Sequence, residues 1–314
     1  MLKNLPSGHF AGHLCAALAT LIWSTTFVAT RSLINSGLRP IEIIFYRSFL
    51  AWLVLFALRP KGFRLPTSWA ALKEEKFLIL YAFFMLPIYF MLDNTALVYS
   101  TATNTSLLIS TSPLFIVLIS RFVLKNKLIT KGFVIGSLIC LGGVFFVVSG
   151  GNFALEFNPL GDFLAIGAAI AAAIFNMMGE RLGRDNYPND MIVRMQRIFF
   201  YGLLMLLPIM PLFGFRYETE IFMQPEIALQ LIYLALGASA IGFIVWNKAL
   251  GQIGALSAGL YIFLIPVLTI IVARIVLGEQ LSVFSAIGAF LILCGLMVAK
   301  NWLGEIWALL KERK

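Results

Sequence analysis

Ten runs of about twenty mostly apolar residues fill almost the whole chain, and no other feature limits the possible folds so sharply. A helix needs roughly 20 such residues, rising about 1.5 Å each, to cross a hydrocarbon core about 30 Å thick. The expected spans are His13–Ser32, Pro40–Leu58, Phe77–Val98, Thr103–Leu124, Gly132–Val148, Leu160–Gly179, Ile192–Phe213, Ile227–Trp246, Ala255–Leu277 and Val283–Ala299. Composition agrees. Hydrophobic residues make up 60% of the 314 and charged ones 12%, against roughly 25% charged in a soluble domain. A mean hydropathy of +0.91 excludes a disordered chain. The first apolar stretch resembles a signal peptide only superficially, because nine more spans follow, and it is expected to be retained. Cys15, Cys140 and Cys294 all lie inside apolar runs, at spacings that suit neither a disulfide framework nor a zinc site. They read as small hydrophobes, and no metal or cofactor is expected.

The formal charge of +9 sits in short clusters between apolar runs rather than on one face, which points to a lipid bilayer and away from nucleic acid. With the N-terminus in the cytoplasm, 19 of the 24 basic residues fall on inner segments, Arg31, Arg39, Arg216 and Arg274 at outer ends, and Arg47 within a span. That asymmetry predicts cytoplasmic N- and C-termini in a multi-pass inner-membrane protein.

The chain also contains itself twice. An offset of 153 residues aligns Asn94–Gly142 with Asn247–Gly295 without a gap and matches 14 of 49 positions, among them Asn94/Asn247, Pro113/Pro266 and Arg121/Arg274. An offset of about 149 to 150 lays Arg47 on Gln196. Each copy holds five spans, and an odd number forces the second copy to enter the membrane upside down. The expected fold is therefore all-α, ten transmembrane helices in two inverted five-helix repeats. Inverted halves can exchange conformations around a central site, a device that channels and receptors do not need.

The residues resemble the EamA branch of the drug/metabolite transporter superfamily over about residues 10–300. The resemblance rests on Trp23-Ser24 with Phe27 and Arg31, on Pro40 with Arg47, on Pro113 and Pro266, and on Gly278-Glu279 before the last span. It implies a first repeat over 10–148 and a second over 160–300, ahead of a tail at 301–314. It also implies a permease of the inner membrane carrying small metabolites, amino acids or drugs, mostly as efflux, through a cavity walled by paired helices. Two departures keep the substrate from being carried over: Lys125-Asn126 stands where the family often has an acid, and Ala172 or Ala173 where a tryptophan is common.

Two charges lie too deep in the membrane to be left free. Arg47 is seven residues past Pro40 and Asp93 five before Val98, each about 10 Å from the outer surface. Their expected arrangement is a pair, direct or through water, on the outer side of a cavity, with a helix-to-helix clamp as the alternative. Tyr89 shares a helix face with Asp93, and Asn94 is one step round. Thr103, Ser106 and Ser110 form a polar stripe leading to Pro113, with Ser110 the cavity candidate. The second copy offers Trp246, Asn247 and Tyr261, and Trp23, Tyr46, Asn176 and Gln196 complete the expected substrate-binding set. Such walls suit a flat or partly apolar small molecule carrying an amine or carboxylate. Pro113 and Pro266 are the expected hinges. His9 and His13 read as interfacial, Gly132, Gly136, Gly288 and Gly295 as packing or dimerisation positions, and the tail as an amphipathic helix on the inner leaflet. Either a monomer or a homodimer fits.

No catalytic residues are expected, since the chain lacks a His-Glu-x-x-His pair, a Gly-x-Ser-x-Gly elbow and a phosphate loop. The reading is a secondary transporter exporting small organic metabolites, amino acids or amphipathic solutes by alternating access. The alternatives are an importer of amines such as choline and a membrane protein that does not transport.

Overall fold

The computed structural model describes residues 7–100, 102–123, 130–149, 158–217, 223–268, 271 and 283–299. Every regular element among them is helical. Helices α1 (Ser7–Trp23) and α2 (Thr26–Asn35) form the first apolar run. The break between them follows from the sequence Trp23-Ser24-Thr25-Thr26. Three successive hydroxyls donate back to carbonyls of Leu21, Ile22 and Trp23 at 2.7, 3.1 and 2.8 Å, and such bonds compete with the helical ladder. Helix α3 (Pro40–Leu58) has its expected bounds because Pro40 suits the first helical position and Glu42 closes a capping box on Arg39.

After the short α4 (Trp69–Glu74), the third run contains α5 (Lys76–Phe83), a π-helical segment Phe84–Phe90 and α6 (Met91–Tyr99). Pro87 lies inside the π segment. It has no N–H to offer, and the wider turn relieves its ring of the clash an α-helix would impose. In the fourth run α7 (Ala102–Ile109) gives way to α8 (Ser112–Leu118) at Ser110-Thr111, whose hydroxyls turn back on the carbonyls of Ser106 and Leu108, just ahead of Pro113. Then come a π segment Ile119–Val123, α9 (Lys131–Ser149), α10 (Pro159–Arg184) and α11 (Met191–Leu206). The chain continues as α12 (Pro225–Ile232), a π segment Tyr233–Ile241, α13 (Gly242–Gly259), a 3-10 turn Leu260–Phe263 and α14 (Val283–Ala299).

Among the described residues six runs are long and apolar enough to cross a membrane: Phe10–Asn35, Pro40–Leu58, Lys76–Tyr99, Thr105–Phe122, Pro159–Arg184 and Pro225–Leu268. The last has 44 residues, about 66 Å as one straight helix and too long for a single crossing. It is interrupted at Gly254, where φ is +76° and ψ 161°, a conformation open to glycine and costly for other residues. That break falls one residue before the expected ninth span. Shorter apolar stretches, Lys131–Phe146 and Ala286–Ala299, occupy the expected fifth and tenth spans. The seventh differs from expectation: its helix ends at Leu206 and turns follow to Gly214, because Pro208 and Pro211 withdraw two backbone donors. The end of the ninth span with Arg274, Lys125-Asn126, Gly278-Glu279 and the tail 301–314 lie outside the described residues, as do the side chains of His9 and Thr103.

Helices from the two ends of the chain pack in pairs: α1 on α13, α6 on α10, α3 on α11, and α9 on α14. The last pair touches backbone to backbone. A Cβ built on Gly143 would lie 2.7 Å from the Gly288 carbonyl oxygen, and one on Gly295 2.6 Å from the Cys140 thiol. A Cβ on Gly136 would run into the backbone of Gly295 and Ala299. Cys140 acts here as a small hydrophobe, its thiol 3.4 Å from the Ile292 carbonyl. Gly136→Ala is therefore expected to force α9 and α14 apart and cost about 1–3 kcal/mol, visible as a lower melting temperature in detergent.

Candidate functional site: a cavity between the two halves

The break after Trp23, the break at Ser110-Thr111 and the first π segment border one cavity of about 60 Å³. Trp23, at the end of α1, forms one wall. Its indole N–H donates to the Ala238 carbonyl at 3.0 Å, inside the second π segment, and its ring lies 5.0 and 5.1 Å from those of Phe243 and Trp246. Arg47, 3% exposed, reaches in from α3. Its Nε donates to the Ser239 hydroxyl at 3.0 Å and its guanidinium carbon sits 4.4 Å from the centre of the Phe90 ring. The side chain is thus gripped by two π segments, through Phe90 of Phe84–Phe90 and Ser239 of Tyr233–Ile241. Asp93, 7% exposed, lines the same cavity.

Of the two expected forms of the Arg47–Asp93 pair, the direct one is not made. No Arg47 nitrogen lies within 4.0 Å of an Asp93 oxygen, and Asp93 Oδ1 is buried without a hydrogen-bond partner. Ser239 and Phe90 hold the guanidinium elsewhere.

The lining follows the internal offsets. Phe90 and Phe243, Ile109 and Ile262, and Ser112 and Ile265 are each 153 residues apart; Trp23 and Ala172, Thr26 and Phe175, and Phe27 and Asn176 are 149 apart. Five lining residues, Thr30, Arg47, Tyr89, Asp93 and Leu97, have no counterpart in the wall. Thr30 lies in α2, Arg47 in the first half of α3, Tyr89 in the first π segment, and Asp93 and Leu97 in α6. Gln196, Trp246 and Leu250, the counterparts of Arg47, Asp93 and Leu97, are fully buried outside the lining.

Hydrogen bonds and ion pairs hold the residues around these counterparts in place. The Gln196 amide donates to the carbonyls of Leu55 and Arg59, closing the C-terminus of α3. Trp246 donates to Asn176 Oδ1 at 2.8 Å, and Asn247 to the Tyr81 hydroxyl and the Phe243 carbonyl, both at 2.9 Å. Glu75, 3% exposed, forms an ion pair with Arg197 and accepts from the Tyr201 hydroxyl. Arg59 meets Asp190 at 3.2 Å, Glu180 accepts from the Ala255 N–H at 2.9 Å, and the Tyr261 hydroxyl lies 3.1 Å from His13 Nδ1.

Of the residues singled out from sequence, Trp23, Arg47, Tyr89, Asp93 and Asn176 line the cavity. Gln196, Trp246, Asn247 and Tyr261 instead lie outside the lining, held by these bonds. Tyr46 packs against Phe45 and Phe215 behind the wall, Ser110 spends its hydroxyl on the Ser106 carbonyl, and Asn94 is buried outside the lining. Pro113 starts α8 beside the cavity, and Pro266 is buried in the helix after the 3-10 turn. Thr26, Thr30, Ser112 and Ser239 were not expected. Thr26 and Thr30, four apart beyond Trp23, could have been found from helical spacing; Ser239, in a run of small residues, carried no signal.

The profile of the EamA-like transporter family matches residues 10–149 and 159–300. The chain belongs to the EamA-like transporter family. It is a multi-pass membrane transporter and not an enzyme. An uncharacterized transporter of Archaeoglobus fulgidus is 30% identical over 297 residues, covering 90% of this chain and 95% of that one. Another, from Methanothermobacter thermautotrophicus, is 27% identical over 310 residues, 94% of this chain and 87% of its own length. A solved crystal structure with 19% identity superposes with a TM-score of 0.73, covering 96% of this chain and 98% of the other, and so shares the fold.

Proposed function

We propose that the transporter is an inner-membrane secondary carrier that exports small organic solutes by alternating access, binding them in the central cavity. The single observation that carries this reading is the unequal fate of matched positions. Arg47, Asp93 and Leu97 line the cavity while their counterparts Gln196, Trp246 and Leu250 are buried outside it. If the repeats are inverted, matched positions lie on opposite sides of the membrane, and a bundle open toward one set and closed over the other is half of an alternating cycle. The paired packing of α1 on α13 and α6 on α10 supports the duplication. On this reading the chain spans the membrane ten times, with N- and C-termini in the cytoplasm, the charged half of the cavity facing outward and the Glu75 end inward. Pro113 and Pro266 serve as hinges at matched places. One chain supplies the whole cavity, so a monomer suffices.

At about 60 Å³, the cavity is far below the roughly 300–1,000 Å³ of a drug-sized site, so loading requires the helices to part. Opposite charges leave it close to neutral, which suits zwitterions and amphipathic amines better than dianions. Placing Arg47 and Asp93 on the outer side also favours, as a second reading, uptake of amines. Purified protein in liposomes is expected to show saturable uptake stimulated by solute on the opposite side. Flux that neither saturates nor shows counterflow would mean a channel, and vesicles of defined sidedness separate export from uptake.

A further inference from the structure

Arg47 and Asp93 carry opposite charges into one cavity and yet do not meet, and the reason is local. Arg47 is already supplied by the Ser239 hydroxyl on one side and the Phe90 ring on the other. Asp93 has no such neighbours: Oδ1 is buried in the wall with no donor. A buried carboxylate oxygen in this condition demands a donor, preferably a cationic one. Among the described residues Arg47 is the one cation lining the cavity, and Ser239 holds it away.

We propose that Asp93 is the subsite for the ammonium group of the transported solute, reached when the helices part, and that Ser239 is a positioning residue that keeps the carboxylate unpaired by detaining Arg47. The proposal rests on the carrier reading above and names its substrate class: primary amines and zwitterions with an apolar, flat body. Trp23, Tyr89, Phe90, Phe175 and Phe243 supply the aromatic walls such a body and its cationic end require. A primary ammonium brings three N–H donors to an oxygen that has none. A quaternary ammonium brings charge without a donor and leaves Oδ1 unsatisfied, so it binds more weakly than the primary amine. When Arg47 is freed from Ser239 it competes for Asp93, which couples occupancy of the subsite to the second π segment, where Ser239 resides.

The test uses the full-length protein in detergent and four related probes: 2-phenylethylamine, phenylalanine, 3-phenylpropionate and a phenethyltrimethylammonium salt, with affinities from calorimetry. Wild type is expected to bind the amine and the amino acid more tightly than the carboxylate or the quaternary salt. Ser239→Ala is expected to weaken the amine and the amino acid by about tenfold, the scale of one charge-assisted hydrogen bond, and to leave the carboxylate unchanged. Ser239→Thr, which keeps the acceptor, is expected to behave as wild type. In an Asp93→Asn background the Ser239→Ala effect is expected to vanish. Ser239→Cys, close in volume and a poor acceptor, stands in if the alanine variant does not fold. Equal weakening of all four probes, an undiminished effect in Asp93→Asn, or preference of the wild type for the carboxylate would overturn the proposal. If wild type binds none of the probes but shows counterflow of other solutes, the ammonium subsite fails while the carrier stands. If no solute gives counterflow, the carrier reading fails first.

Discussion

Arg47→Ala is expected to yield folded protein at near normal level that no longer transports. The guanidinium lines the cavity and bridges α3 to the two π segments, while α3 packs on α11 through other residues, so the packing of α3 on α11 is expected to stay in place. What it does leave is Asp93 as an uncompensated charge, worth about 2.5–3.5 kcal/mol on the lenient insertion scale. Solute binding then loses both the guanidinium and the charge balance of the site. Detergent-solubilised protein measured by size exclusion, beside counterflow in liposomes, checks both halves of the expectation. Disappearance of the protein would make Arg47 a clamp. The double variant Arg47→Ala/Asp93→Asn, which removes both charges, is expected to recover the lost stability without recovering transport. Arg47→Lys keeps the charge but not the planar fork that stacks on Phe90 while bonding Ser239, and is expected to fall in between.

The second large effect lies at Glu75. Glu75→Ala is expected to destabilise the protein by about 3–5 kcal/mol, the cost of removing one partner from a buried ion pair. Arg197 would keep its charge with no acid facing it, and its Nε already has no hydrogen-bond partner. Tyr201 would lose its acceptor as well. Glu75 precedes α5 and Arg197 lies in α11, so the bridge ties the first half of the chain to the second. On the carrier reading it must open in each cycle. Removing it is therefore expected to lower the melting temperature and also to raise labelling of a cysteine placed at Tyr81 by a thiol reagent added from the inner side. A lower melting temperature with unchanged labelling would make the bridge purely structural.

Much of this molecule is legible along the chain. The apolar runs are local features, and α3 begins and ends at its expected residues because Pro40, Glu42 and the run to Leu58 are all read within one segment. The break after Trp23 likewise sits in four consecutive residues. The seventh span ends earlier than its hydropathy implies, since apolar side chains continue past Leu206 while Pro208 and Pro211 stop the helix: hydropathy and backbone donors disagree, and in a turn the backbone decides. The π segments escaped notice because an inserted backbone residue leaves the side-chain pattern nearly intact; only Pro87 marked one of them.

By itself the sequence determined that the chain lives in a membrane, that Arg47 and Asp93 lie deep within it, and that Asn94 matches Asn247 and Pro113 matches Pro266. Burial cost and internal repetition are properties of the residues and their order, independent of how the helices settle. The tertiary structure alone decided that both copies of some matched positions line the cavity and that only Arg47, Asp93 and Leu97 do so where their counterparts are Gln196, Trp246 and Leu250. It put Asp93 in the wall and Trp246 behind it, and gave Arg47 to Ser239, 192 positions away, rather than to Asp93. That choice lies in rotamers and helix contacts that join residues far apart in the chain, which no local pattern in the sequence encodes.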